Sequence, residues 1–351
     1  MEIVEHVSLA PLTTMGLGGA ARYFVEARDE TTARAACIWA REHRVPLRVL
    51  GSGSNLVIDD AGVDALVMRV SLRGVESREH GDTVELTAAA GEPWDDLVAH
   101  ATARGWAGIE CLSGIPGFVG ATPIQNVGAY GQEVSDTIAT VRALDRVRDD
   151  VVTLPGRECG FTYRDSRFKS GELDRWIVLA VTYRLRSGGA PAFTYEEVTT
   201  HLAGRGIAAP TPGDVRESVL AIRREKSMVL DPADPNRRSC GSFFMNPIVA
   251  AAQADDVAVR ADEPSMPRWP QPNGRVKLSA AWLIERAGFK KGDRAGYVGL
   301  SSRHTLAIVC YDGARASDVA VFARRIRETV AERFDVRLAP EPVLWGGLSL
   351  D

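Results

Sequence analysis

The sequence predicts an α+β protein, on three observations. Stretches with apolar residues at helical spacing and β-branched runs of strand length both occur along the chain. They are mixed rather than strictly alternating, unlike a simple repeating strand–helix unit. The 351 residues exceed one typical domain, so two or three packed units are expected.

In chain order, residues 31–44 (TTARAACIWAREHR) read as a helix opened by threonines, and PLRVL (46–50) as a strand. GSGSN (51–55) makes a turn before the extended LVIDD. VELTAAA (84–90) alternates as a strand does. PWDDLVAHATAR (93–104) is a helix with Pro93 near its first position and Gly105 just past its end. IVLAVTYRL (177–185) is a strand rich in β-branched residues. GDVRESVLAIRREK (213–226) is helical, with Val215, Val219 and Ile222 on one face. The polar, proline-rich VLDPADPNRRS (229–239) marks a domain boundary, and DEPSMPRWPQPNG (262–274) is a second irregular stretch. SAAWLIERAGF (279–289) reads as a helix and TLAIVCY (305–311) as a strand. ASDVAVFARRIRETVAERF (316–334) is a helix with Val319, Phe322, Ile326 and Val330 on one face, and VRLAPEPVLWG ends the chain as a strand.

Composition narrows the function classes. With 45% apolar and 25% charged residues the chain matches an ordinary soluble globular protein. A net charge of -4 carries no polybasic signature for nucleic acid or anionic membrane, though a local pocket can still take an anion. Cys37, Cys111, Cys159, Cys240 and Cys310 are odd in number, scattered, and form no C-x-x-C. That speaks against a disulfide framework and a cysteine-rich zinc site, and fits a reducing cytosol. The N-terminus lacks the basic and apolar regions of a signal peptide, and no run of about 18 apolar residues exists to span a membrane.

Three glycine-rich loops lie in the first 131 residues. GLGGAA (16–21) formally fits a dinucleotide fingerprint, but a strand-like RYFVEA follows it where a helix is required. LGSGSNLV (50–57) follows a strand and leads to another extended segment. Its glycines permit close backbone approach, and its N–H groups and hydroxyls suit a phosphate; a plain hairpin turn explains it equally well. SGIPGFVGATPIQNVGAYG (113–131) is long, apolar and poor in charge, which favours a place against a flat ligand over an exposed loop; a buried crossover between sheets is the alternative.

These two later loops resemble the FAD-binding domain of vanillyl-alcohol-oxidase-type flavoproteins. With YRDSRFK (163–169), GSFFMNP (241–247), GRVKLSAAWLI (274–284) and LAPEPVLWG (338–346), the chain resembles the UDP-N-acetylenolpyruvoylglucosamine reductase (MurB) family over nearly its whole length. The resemblance implies noncovalent FAD, NADPH as electron donor, a UDP-sugar substrate and a cytosolic step of peptidoglycan precursor synthesis. It implies a two-part FAD-binding domain plus a C-terminal α+β substrate-binding domain. The expected boundaries are 1–70 (joined by the C-terminal strand 335–351), 71–229 and 230–334. FTYEEV (193–198) resembles the tyrosine-bearing insert of the longer subtype. A monomer with no nucleic-acid or membrane partner is the expectation.

Residue by residue, the resemblance implies flavin contacts at Gly51, Ser52, Gly53, Ser54 and Asn55 in one loop. In the other it implies Gly114, Pro116, Gly117, Gly120, Ala121, Thr122, Gln125, Asn126, Gly128 and Ala129, with Val178 beyond it. Reduction of the enolpyruvyl ether needs fixed groups at the substrate carboxylate and an acid beside the α-carbon. Arg164 matches the family's catalytic arginine, since guanidinium can bond a carboxylate bidentately; a salt bridge to Asp165 is the structural alternative. Glu341, between two prolines, matches the group that helps polarise the carboxylate, with a rim ion pair as its alternative. Ser242 matches the proton donor, flanked by Gly241 and two phenylalanines that exclude water; Ser239 and Cys240 are its neighbouring competitors. Donors for diphosphate and uridine are Arg223, Lys226, Asn246 and Lys277, with Tyr195 from the insert and Trp269 as an aromatic near the nucleotide. A flavin oxidase of the same fold, acting on a sugar or alcohol, is the competing enzyme class, although LGSGSNLV lacks a histidine to tether flavin. An inactive flavin-binding module is the non-enzymatic alternative.

Overall fold

The β-branched run around residues 177–185 forms the strand Trp176–Ser187, the spine of a six-stranded antiparallel sheet. It pairs with Ile138–Asp145 on one side and Thr83–Ala89 on the other. Asp150–Pro155 and Val75–His80 form the outer edges, and Trp106–Ala107 adds a short partner. Along Thr83–Ala89 the alternation is that of a sheet with one buried face: Val84, Leu86 and Ala88 are fully buried, and the residues between them are not.

The computed structural model describes residues 1–351, and its contacts gather into two units. The first comprises Met1–Val7, Arg22–Ser52 and Asp64–Val229. The second comprises Ser8–Ala21, Gly53–Val63 and Leu230–Asp351. No helix is long and apolar enough to cross a membrane, and all five cysteines are free thiols.

In the first unit, helix Trp94–Ala103 lays Trp94, Leu97, Val98 and Ala101 into the core beside the large sheet. Helix Glu30–Glu42 starts just ahead of the expected threonines because Asp29 caps it, accepting from the Thr32 N–H. Helices Glu196–Gly204 and Pro212–Glu225 enclose a small core of Val198, Leu202, Val215, Val219 and Ile222. The expected apolar face of 213–226 is thus buried. A smaller sheet takes Val4–Ser8, Ala20–Ala27, Val63–Val70 and Leu47–Leu50 in that order.

In the second unit, helix Ala316–Phe334 buries Val319, Phe322, Ile326 and Val330 as its period requires. Asp60 accepts from the N–H groups of Ala316 and Ser317 and fixes its start. Helix Ala280–Arg286 is shorter than 279–289; Ser279 caps it, accepting from the Trp282 N–H. The irregular stretch 262–274 contains a three-residue strand, Arg268–Pro270, paired with Arg275–Leu278. The final strand is only Val343–Trp345, because Pro340 and Pro342 supply no N–H to a ladder. It pairs in parallel with Leu56–Ile58, whereas Leu47–Leu50 pairs in parallel with Leu66–Arg69. The strands flanking GSGSN therefore belong to different sheets, which excludes the hairpin reading of that loop.

The turn between Ile138–Asp145 and Asp150–Pro155 depends on a buried carboxylate. Asp145 accepts from Arg175 Nε and Nη2 and from the N–H groups of Val147 and Arg148. Arg175 foremost, then these backbone donors, hold its pKa down at about 2. The carboxylate's contribution is complete above the ordinary aspartate value of about 4 and is lost as pH falls through its folded value. Asp145→Asn should be less stable at neutral pH and lose stability less steeply between about pH 4 and 2. Urea titrations across that range measure both, and parallel acid limbs for the two proteins would refute the assignment.

Candidate functional site

Ser242 and Glu341 meet through backbone pairing within the second unit. Ser242 forms an isolated antiparallel bridge with Ala307, and the Phe243 N–H donates to the Leu306 carbonyl at 2.7 Å. The Phe243 carbonyl accepts from the Glu341 N–H at 2.9 Å, and the Met245 N–H donates to Ala339 at 3.0 Å. Asn55 Nδ2 donates to the Glu341 carbonyl at 3.3 Å, and the Asn55 carbonyl accepts from the Val343 N–H at 3.0 Å. The GSFF and PEP motifs, distant in sequence, are thereby held in one register.

Burial sets Cys240 apart from the other two candidates in SCGS, since Ser239 is half-buried like Ser242. Cys240 lies in the core, and burial pushes its thiol pKa far up; the neighbouring Cys310 is pushed up to about 12 for the same reason. The Ser239 hydroxyl faces the Gly241 N–H at 3.4 Å. Ser242 is half-buried. Phe243 and Phe244 are core residues packed edge to face, so they anchor the motif. Asn246 Oδ1 accepts from the Ala280 N–H and holds a helix start. Lys277 sits opposite both Ile248 and Trp269 in a three-stranded sheet, with its ammonium 5.9 Å from the Trp269 ring centre. Trp269 is exposed, so Asn246, Trp269 and Lys277 share a neighbourhood with an open aromatic face.

Arg164 lies in the first unit. It occupies a left-handed conformation (φ 56°) in a tight turn closed by hydrogen bonds between Thr162 and Asp165. Its Nη2 donates to the Gly128 carbonyl at 2.6 Å, while Lys169 Nζ donates to the Arg164 carbonyl. A Cβ on Gly128 would lie 2.8 Å from Glu133 Cγ and 3.1 Å from Arg164 Nη1, so this glycine admits the guanidinium. Asp165 Oδ1 accepts from the Ser166 N–H.

The long loop is stitched to the segment before it. Gly117 accepts from the Trp94 N–H, Val119 donates to Glu92 and Gly120 donates to Ala90. Thr122 Oγ1 bonds the buried Tyr183 hydroxyl at 2.7 Å. Asn126 Nδ2 donates to Glu133 and Thr162, and its Oδ1 accepts from the Ser135 N–H. Val178 is buried within the sheet. Gly120, Thr122, Asn126 and Val178 therefore support the loop by their own contacts. Gly114 packs under helix Pro212–Glu225, donating to Asp95 Oδ1.

Tyr195, Arg223 and Lys226 gather around Tyr130, to which the sequence assigned no role. Tyr130 stands between Ala129 and Gly131 with φ 49° and stacks edge to face on Tyr195 at 5.3 Å. The Lys226 ammonium lies 5.8 Å from its ring centre and bonds Glu197 Oε2 at 2.6 Å. Arg223 is buried beside the Tyr130 phenol; its Nη2 donates to the Met228 carbonyl, and its Nε has no partner. Burial lowers the Arg223 pKa and raises that of Tyr130 to about 12. This patch of cations and phenols, with Tyr195 exposed at its rim, can receive an anionic ligand.

One feature of the first unit fits a phosphate-bearing cofactor. Leu50, just before the GSGSN loop, pairs with Arg69, whose Nε is buried and unpartnered. A side chain on Gly51 would meet only the Phe118 ring, 4.0 Å away, and the Arg69 guanidinium lies 5.9 Å from that ring. An unused cationic donor beside an uncrowded glycine is what a phosphate or a flavin edge would complete.

Comparison with known proteins agrees with that chemistry. Residues 21–154 match the FAD binding domain family, and residues 232–345 match the family described as UDP-N-acetylenolpyruvoylglucosamine reductase, C-terminal domain. The reductase of that name from Saccharopolyspora erythraea is 46% identical over 96% of this chain and 94% of its own. The Pseudomonas aeruginosa protein is 43% identical over 98% and 99%. The crystal structure of the Thermus caldophilus enzyme aligns with TM-score 0.66 at 26% identity, covering 98% of each chain. The matched domains and the residues gathered above define a flavoprotein oxidoreductase with FAD as its cofactor. The chain belongs to the UDP-N-acetylenolpyruvoylglucosamine reductase family.

The Lys226–Glu197 pair is partly exposed on both sides, so it contributes little to stability. Glu197→Gln should change the unfolding free energy by less than about 1 kcal/mol in urea melts. A larger loss would mean that Lys226 is committed to the fold rather than held ready for a ligand.

Proposed function

We propose that the chain reduces the enolpyruvyl ether of UDP-N-acetylglucosamine to the lactyl ether of UDP-N-acetylmuramate, with electrons from NADPH, in peptidoglycan precursor synthesis. FAD, bound noncovalently, would supply the redox chemistry, hydride transfer from NADPH to the enolpyruvyl β-carbon. Arg164 holds the substrate carboxylate, into which charge spreads from the α-carbon, and Glu341 helps polarise it. Ser242 Oγ gives its proton to the α-carbon, which completes the net addition of hydride and proton across the double bond; water restores the hydroxyl. An alcohol is a weak acid, so this transfer requires a strongly basic carbon and a hydroxyl held close.

The observation that carries the reading is the backbone ladder joining the segments of Ser242 and Glu341, which keeps a neutral proton donor and a carboxyl group in fixed register. The patch of Tyr130, Tyr195, Arg223 and Lys226 supports recognition of the diphosphate, with Tyr195 as the tyrosine of the longer subtype. Asn246, Trp269 and Lys277 support contacts to the nucleotide and sugar. In the division of labour we propose, 1–70 with 335–351 and 71–229 hold the flavin, and 230–334 takes the substrate. The chain acts as a monomer in the cytoplasm.

The test is anaerobic. NADPH should bleach the yellow enzyme, and the enolpyruvyl UDP-sugar should restore its colour. Reoxidation by oxygen but never by that substrate would overturn the reading in favour of an oxidase. Ser242→Ala should bleach normally and recolour slower by about a hundredfold or more, the scale of a lost general acid. Normal recolouring would remove Ser242 from the proton transfer.

A further inference from the structure

We infer that Thr14 is a positioning residue for the proton transfer: its hydroxyl fixes the Ser239–Ser242 bend and so sets the direction of the Ser242 hydroxyl. The inference rests on the functional reading above. Thr14 Oγ1 donates to the Ser239 carbonyl at 2.7 Å, and its N–H donates to the Gly53 carbonyl at 3.2 Å. The Ser54 carbonyl stands farther off, at 3.4 Å, and a hydroxyl has one proton, so the Ser239 bond takes it. Thr14 is itself held firm: Thr13 Oγ1 donates to the Leu17 carbonyl and accepts from the Leu17 N–H.

The bend needs such an anchor. Gly241 has φ 75°, and a Cβ there would find no atom within 4 Å, so side-chain packing does not restrain it. Its orientation is set from its two ends. Downstream, the Phe243 N–H is bonded to Leu306. Upstream, Thr14 ties the Ser239 carbonyl to a remote segment, whereas the Ser239 N–H and hydroxyl bond only its neighbours Arg237 and Gly241. One residue earlier, Arg238 is fastened independently: its carbonyl accepts from the Cys310 N–H, and its Nε and Nη2 donate to Met15 and Gly16. Loss of the Thr14 hydroxyl therefore leaves the segment attached, with Cys240 still seated in the core, and loosens the Ser239 end of the bend that leads to Ser242. A weak acid depends on closeness to the carbon it protonates, so a small swing of this bend falls on the proton-transfer step.

Thr14→Val keeps the side-chain shape and removes the donor, while Thr14→Ser keeps the donor. Anaerobic stopped-flow spectroscopy separates the half-reactions. For Thr14→Val, flavin reduction by NADPH should stay within about twofold of wild type. Reoxidation by the enolpyruvyl UDP-sugar should fall at least about tenfold, with a larger solvent deuterium isotope effect, because misplacement by about an ångström is costly. Thr14→Ser should restore reoxidation to within about twofold. Equal reoxidation in Thr14→Val and wild type overturns the inference alone. A wild-type enzyme that the substrate does not reoxidise overturns the functional reading and this inference with it. If Thr14→Val loses its flavin, Thr14→Ala is measured in its place; the same loss there makes the role structural and overturns the inference.

Discussion

The hydrogen bond from the Glu341 N–H to the Phe243 carbonyl is the constraint on which the geometry of the second unit's candidate site depends. It is an ordinary backbone bond, worth about 1 kcal/mol net by itself. Its importance is geometric. Phe243 and Phe244 are sealed into the core, so their own backbone has almost no freedom. Ser242 leaves that anchor in one direction, while Glu341 is bonded to it from the facing segment. The two prolines around Glu341 stop the ladder from running on, so the glutamate stays at a break in the sheet rather than becoming one rung among many.

The first unit solves a different problem. Its long glycine-rich loop carries many backbone polar groups into a buried place, and each needs a partner. Part of that need is met by the segment Ala90–Trp94, part by the side chains of Thr122 and Asn126. The loop is thus fastened to the core as a buried crossover would be. Outside it, Arg69 and Arg223 have donors to spare. Each is a cation with a buried Nε that the protein leaves unbonded, which costs stability unless another molecule completes it.

Much of this was legible in the sequence because it obeys short-range rules. The helix at 316–334, the face of Val215, Val219 and Ile222, and the spine strand follow from periodicity and β-branching. Other features were hidden for identifiable reasons. The strands Val75–His80 and Asp150–Pro155 are sheet edges with no fully buried residue, and the first is also rich in charge. Helix Ala251–Ala261 is largely alanine and aspartate and has only two buried residues, so its apolar stripe is thin. The gathering of Tyr130 with Tyr195, Arg223 and Lys226 depends on turns of positive φ and on packing between remote segments, for which no spacing rule exists. Thr14 was invisible for the same reason: its partner is a backbone carbonyl, and carbonyls leave no trace in a sequence.

The parallel pairing of Val343–Trp345 with Leu56–Ile58 shapes how the chain can be made. During synthesis Leu56–Ile58 emerges long before its partner Val343–Trp345. Until then it is an unpaired apolar strand, the kind of edge that recruits wrong partners. The second unit also draws Met15, Leu17 and Val57 into its core from segments embedded near the N-terminus. A fragment beginning at Leu230 would lack both the strand and those side chains. The unit is a late-closing assembly of segments far apart in the chain, and a nascent chain halted before Val343 would be unable to shut it.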